Sequence, residues 1–318
     1  MKFLSIFNNK GGVGKTTLTF HVAHQLSEMG YSVLLMDADP QCNLSIYCLD
    51  EEVIGKIWER EENFIKDFDK GKSLEDQSSW QEAITNPRSL HFYLKPTEDG
   101  TAETGESPKP LSLKENLDLV VGRLTLHQYE DIVSSRWDGL ASGNPLSLRT
   151  LTRLRRLALE AHKEKGYDFV ITDTSPSLGR LNRIIIATAD GFLIPCSADL
   201  FSLYGIKNIG DALNSWVDHF TKIRTMNDPE NLENFPDNTP HCLGFVILNA
   251  KKYTGKNKWD LSKAAFHYAQ QIPNYINKYM PSTVRHGIPD NEFSEPIGGT
   301  SVMHSHAGMP STAQRFHA

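Results

Sequence analysis

Two lysines in one glycine-rich loop, and carboxylates at the ends of apolar runs, are the residues here whose types and spacing suit phosphate and metal chemistry. The loop reads Asn8-Asn9-Lys10-Gly11-Gly12-Val13-Gly14-Lys15-Thr16-Thr17. It fits the pattern GxxxxGK(S/T), with Asn9 in the first glycine position and Gly14-Lys15-Thr16 closing it. In such a loop the backbone N–H groups from Gly11 through Gly12, Val13, Gly14, Lys15, Thr16 and Thr17 face phosphate oxygens, and the following helix start adds partial positive charge. Glycine supplies the positive φ angles and close backbone approach this needs. Lys15 then reaches the β- and γ-phosphates and the Thr16 hydroxyl binds Mg²⁺, so ATP and Mg²⁺ are the expected cofactors. Asp37 closes the run Val33-Leu34-Leu35-Met36 and Asp39 follows it, while Asp173 closes Phe169-Val170-Ile171-Thr172. A carboxylate at a strand's C-terminal end sits in the crevice where open α/β sheets bind their ligands.

The elements that must hold these groups alternate. Residues 2–8 read as a buried strand, and residues 15–29 as a helix with Leu18, Val22, Leu26 and Met29 on its apolar stripe and Gly30 as its stop. A helix over 146–165 precedes the 169–172 strand, and Phe192–Ile194 and Phe245–Leu248 are further short apolar runs. Strands alternating with helices predict an α/β three-layer sandwich around a mostly parallel sheet. The chain of 318 residues is read as a single P-loop ATPase domain, 1–318, carrying an insertion over 50–115. Within it, 50–92 is acidic and partly helical in pattern, with Trp58 and Trp80 as packing anchors. Residues 97–110, rich in Gly, Pro, Thr and Glu, read as a mobile surface loop.

The net charge of −6 is localised: residues 50–82 hold eleven acids against five Lys/Arg, and the rest is near neutral, which leaves room for a basic patch. Cys42, Cys48, Cys196 and Cys242 form no CxxC pair, which fits a reducing, cytoplasmic setting. No apolar stretch reaches the roughly 20 residues a membrane helix needs. His304 and His306 have a metal-compatible spacing but are read as part of a polar tail.

Lys10 departs from the general pattern, and with it the loop resembles that of the ParA/MinD family, KGGVGKT(S/T). In that family the extra lysine reaches across a nucleotide-sandwiched dimer to the partner's ATP, so the resemblance implies that role for Lys10 and a homodimer formed on ATP binding. Asp37-Ala38-Asp39-Pro40-Gln41-Cys42-Asn43 resembles the family stretch DxDPQGN, with Cys42 in place of glycine. By resemblance Asp39 positions the attacking water and contacts the metal shell. Asp173 to Gly179 resembles the family's second phosphate motif, with Asp173 as a magnesium-side carboxylate. Ala189-Asp190, Ile194-Pro195 and Phe201 to Gly205 match a further family segment in order. Asn249 resembles the strand-end asparagine that reads adenine, with a plain turn residue as the alternative. Pro289 and Asp290 fall in a stretch similar to the loop that covers the base. Family members usually continue beyond that loop with C-terminal helices, a pattern not evident after His304.

The resemblance implies a slow ATPase whose ATP dimer binds DNA non-specifically and is stimulated by a partner protein, as in plasmid or chromosome partition. Membrane binding is disfavoured, because the visible C-terminal stretch has no basic amphipathic helix. Arg149, Arg153 and Arg156 share one face of the 146–165 helix, a stripe able to neutralise phosphates or simply a solvated face. Lys251, Lys252, Lys256 and Lys258 form a second basic cluster. The alternative is an ATP-dependent regulatory switch that docks an effector protein, for instance in a phage-defence or toxin operon, without a DNA role.

Overall fold

A computed structural model describes residues 1–232, 234–250, 252, 255, 257–285, 289, 296–297 and 302–304. Among the described residues eight strands make one sheet: β1 (Lys2–Ile6), β2 (Val33–Asp37), β3 (Leu111–Lys114), β4 (Leu117–Val120), β5 (Phe169–Asp173), β6 (Gly191–Cys196), β7 (His241–Ala250) and β8 (Val302–His304). Their order is β3-β4-β2-β5-β1-β6-β7-β8. Neighbours run parallel except β3 against β4.

The central strands are mostly apolar up to their ends because both faces are covered, and all five residues of β2, Asp37 included, are buried. Val33 and Leu35 join Ile6, Ile171, Leu18 and Ala23 in a cluster beneath helix Lys15–Glu28. Leu34 and Met36 join Phe3, Phe7 and Val170 on the opposite face, under helices Pro145–Lys165, Arg180–Thr188 and Leu200–Met226. The protein is therefore an α/β three-layer structure, as its alternation of patterns predicts. Register fixes what the strand ends present: Asp37 and Ile6 both stand opposite Asp173.

Between β2 and β4 lie helices Glu51–Lys66, Phe68–Leu74, Gln77–Thr85 and Leu90–Asp99. Phe64, Phe68, Trp80 and Phe92 pack together at ring separations of 5.3–6.2 Å and extend the larger core cluster. Trp80 is thus the packing anchor expected of it.

Two expectations are corrected here. The loop expected over 97–110 starts later than expected, since Thr97 to Asp99 finish a helix and Thr97 is fully buried. Arg149, Arg153 and Arg156 are not an open stripe. Arg153 is 2% exposed, Arg149 donates to the Thr101 carbonyl at 2.8 Å, and all three guanidinium groups pair with Glu103. Helix periodicity identified the shared face but carries no record of what covers it. Of the second basic cluster, Lys252 and Lys258 lie among the described residues and Lys251 and Lys256 outside them.

Candidate nucleotide and phosphate site

The glycine loop joins β1 to helix Lys15–Glu28, at the sheet edge where β2 and β5 end in Asp37 and Asp173. Gly12 and Gly14 hold φ of 72° and 82°, a left-handed region that side chains rarely adopt. Gly14 is doubly constrained, because a Cβ there would meet Leu248 Cδ2 of β7 at 2.9 Å. The cleft, of about 490 Å³, is lined by Gly11, Gly12, Gly14, Lys15, Thr16, Thr17, Asp39, Asn43, Tyr47 and Pro176. Val13 turns away from it into the core, fully buried.

The two lysines face different ways. Lys15 Nζ curls back within its own loop and donates to the Lys10 carbonyl at 3.2 Å. Burial pushes its ammonium below the ordinary value, opposed by Asp173 and Asp39. Lys10 instead leaves the loop: its Nζ pairs with Asp199 Oδ2 at 2.6 Å, near Ser202 Oγ at 3.5 Å and 5.8 Å from the Phe201 ring centre. Asp199 also caps helix Leu200–Met226 by accepting from Ser202 N at 2.8 Å. Burial works upward on Asp199, and the bonds from Lys10 and Ser202 outweigh it, so its carboxyl sits below its usual range.

The three carboxylates divide as sharply. Asp173 accepts from Thr16 Oγ1 at 2.7 Å and from Thr19 Oγ1 at 3.2 Å. Burial raises its carboxyl to about 6, against the Thr16 bond. Asp37 is wholly buried and faces away from the cleft, taking Ser45 N at 2.8 Å and Ser45 Oγ at 2.6 Å. Burial, with the Asp173 charge next, lifts it to about 7. Asp39 lines the cleft and is raised by burial, against the bond it accepts from Gln41 N at 2.9 Å.

Behind Asp37 runs a relay that the sequence did not reveal. Trp58 Nε1 donates to the Gly122 carbonyl at 3.0 Å, and Gly122 N donates to Ser45 Oγ at 2.8 Å, the hydroxyl that bonds Asp37. Gly122 must be glycine: a Cβ would stand 2.9 Å from the Asp37 carboxylate. Cys42, in the position where the family stretch has glycine, adopts φ 55° and ψ 28°. The turn is therefore kept, with a side chain placed in glycine's conformation.

These groups fit a magnesium nucleotide. Thr16, Asp39 and Asp173 offer hard oxygen donors beside a backbone cradle and a buried ammonium. Among the described residues no three His, Cys, Asp or Glu converge as a metal cage.

The base-side candidates are less defined. Asn249 is the penultimate residue of strand β7, Pro289 is exposed, and Asp290 and His306 fall outside the described residues. A larger cleft of about 820 Å³ opens at the opposite edge, where β1, β5, β6 and β7 begin, around the Arg155–Asp190 pair. None of the loop or carboxylate groups lines it. No helix among the described residues is long and apolar enough to cross a membrane. Sequence reasoning missed Asp199, Ser202 and Thr19; the only local signal was Asp199 as a helix-capping acid three residues before a serine.

A family model described as an AAA domain matches residues 1–224. The chain is 28% identical over 213 residues to the probable plasmid-partitioning protein ParA of Thermus thermophilus, covering 67% of this chain and 50% of that protein. It is 26% identical over 206 residues to the chromosome-partitioning ATPase Soj of the same organism, covering 65% and 59%. The chain thus spans between half and two thirds of the length of these curated relatives. The crystal structure of protein DIP2308 from Corynebacterium diphtheriae superposes with a TM-score of 0.65 at 25% identity, over 89% of this chain and 90% of that one.

Proposed function

The chain belongs to the ParA/MinD family of P-loop ATPases, and we propose that it is an ATP-dependent dimerising switch that binds DNA non-specifically as its ATP dimer and is stimulated by a partner protein. The observation that carries the reading is the division of labour between the lysines. Lys15 Nζ stays within its own loop, where it would serve the phosphates, while Lys10 leaves the loop and is held by Asp199, 2.6 Å away, from where it would serve a second copy. The first turn of helix Leu200–Met226 beside it exposes Leu200, Phe201 and Tyr204, with Phe201 70% exposed. Such a surface next to the nucleotide is suited to burial against another chain.

In this reading Gly11 to Thr17 bind the triphosphate, and Lys15 neutralises its terminal charge. Bound Mg²⁺ would supply charge neutralisation at the phosphates, held through Thr16, Asp39 and Asp173. Asp39 orients the attacking water, and Asp37 braces the turn behind it. Asn249, Pro289 and Asp290 serve the base. Residues 50–115 are an insertion on a single ATPase domain, and hydrolysis is slow until the partner arrives.

The test is light scattering and DNA electrophoretic mobility with and without ATP, for wild type and Lys10→Ala. ATP should drive dimers and salt-sensitive DNA binding in wild type and neither in the variant. ATP-dependent dimers persisting in Lys10→Ala would refute the role of Lys10. A second reading, a switch that docks an effector protein without DNA, is favoured by one observation: the arginine face of helix Pro145–Lys165 is closed by Glu103. DNA mobility unaffected by ATP at low salt would support it.

A further inference from the structure

Arg149, Arg153 and Arg156 lie at i, i+4 and i+7 on helix Pro145–Lys165, one face of about 10 Å along the axis. Three guanidinium groups converge there on one carboxylate. Glu103 Oε2 is 3.1 Å from Arg153 and pairs with Arg156, and its Oε1 reaches Arg149 Nε at 3.7 Å while accepting from Thr97 Oγ1 at 3.0 Å. Glu160 adds the second acid, 3.0 Å from Arg153 and 3.5 Å from Arg156. Arg149 Nε, although buried, lacks a hydrogen-bond acceptor.

The segment that carries Glu103 is a short strap with few ties of its own. Its ends are tied down, by Thr101 N on the Pro96 carbonyl at 2.8 Å and by Ser107 Oγ on the Glu160 carbonyl at 3.2 Å. Between them Thr104 and Glu106 bond each other, and Glu103 supplies the ties to the helix. Gly100 before it and Gly105 within it, both at φ 77°, make turns that glycine adopts without strain.

We propose that this arginine face is a binding surface for a nucleic-acid phosphodiester backbone, and that Glu103 is the built-in carboxylate that occupies it until DNA displaces the 102–106 strap. A duplex strand brings several phosphodiesters, each with two charged oxygens, against the single Glu103 carboxylate, and Arg matches each bidentately. The face spans about three steps of a duplex strand at about 3.4 Å each. The proposal rests on the DNA-binding reading above and adds where DNA docks and what opposes it.

The test uses the ATP-loaded full chain and a short fluorescent duplex, read by anisotropy across a salt series. Glu103→Gln should bind about tenfold tighter at low salt with an unchanged log-log salt slope, since the same arginine–phosphate contacts form in both proteins and only the displacement of the carboxylate is removed. Adding Arg149→Gln and Arg156→Gln to Glu103→Gln should cancel that gain. Thermal melting checks that the variants fold. If Glu103→Gln does not fold, hydrogen exchange on wild type replaces it: a bound duplex should speed exchange at 102–106. Wild type that binds duplex with no response to Glu103→Gln, or with unchanged exchange at 102–106, overturns the strap alone. Absence of ATP-dependent duplex binding in both proteins overturns the DNA reading itself.

Discussion

Replacing Asp199 with Asn isolates the contact that occupies Lys10. Asparagine caps a helix about as well as aspartate, so the bond accepted from Ser202 N is retained while the charge opposing Lys10 is removed. The Lys10–Asp199 pair is short, 2.6 Å, yet its side chains are 24% and 40% exposed. Ion pairs with that much solvent contribute about 0.2–1 kcal/mol. If each protomer must break its pair before Lys10 can reach across, a dimer breaks two, at about 0.4–2 kcal/mol in total. Asp199→Asn should therefore tighten ATP-dependent dimerisation by about 2- to 30-fold. Sedimentation velocity over a protein dilution series, with ATP and with ADP, measures this directly. A dimer constant equal to or weaker than wild type would refute the reasoning. So would an equal gain in the Lys10→Ala, Asp199→Asn double variant, because the gain must act through Lys10.

Further outcomes are expected. Asp39→Ala should bind nucleotide but slow turnover by about two orders of magnitude or more, checked by phosphate release; unchanged turnover refutes its role. Cys42→Gly relieves left-handed strain of about 1–2 kcal/mol while losing a buried thiol worth a similar amount, so it should melt near wild type. Cys42→Ala keeps the strain and loses the sulfur, and should melt lower; the reverse order would refute the strain argument. Asp37 at about 7 and Asp173 at about 6 stand above their unfolded values. Their contribution to stability is therefore fully present below about pH 4 and is lost as pH rises through 6 to 7. In the absence of nucleotide, Asp37→Asn should flatten the fall in melting temperature between pH 5 and 8, measured by calorimetry.

What the sequence exposed and what it hid divide by distance along the chain. The phosphate loop was legible because its chemistry is contiguous: seven successive N–H groups, a lysine and a threonine need only a strand before and a helix after. The sheet was legible because β2 and β5 are buried on both faces and so lack any polar alternation. Asp173 was placed by its strand end, and register does the rest by setting it opposite Asp37. The Lys10–Asp199 pair joins residues 189 apart in sequence, and nothing local in either residue specifies the other. The arginine face failed for a related reason. A helix pattern reports which residues share a side, and the partner, Glu103, comes from a stretch whose Gly, Pro and Thr content reads as loop whether or not one acid in it is anchored.

The relay from Trp58 through Gly122 and Ser45 to Asp37 bears on how separable residues 50–115 are. An appendage can be trimmed to obtain a minimal protein, and the stretch's surface charge and helical content invite that. Excising it would strip the Gly122 carbonyl of its indole donor and leave Arg123, which donates to the Trp58 carbonyl at 2.8 Å, without that acceptor. The turn wedged behind the Asp37 carboxylate would lose its outer wall. A shortened version must supply its own backing at Gly122, or the modular boundary drawn on sequence cuts through the support of the sheet edge that carries Asp37 and Asp173.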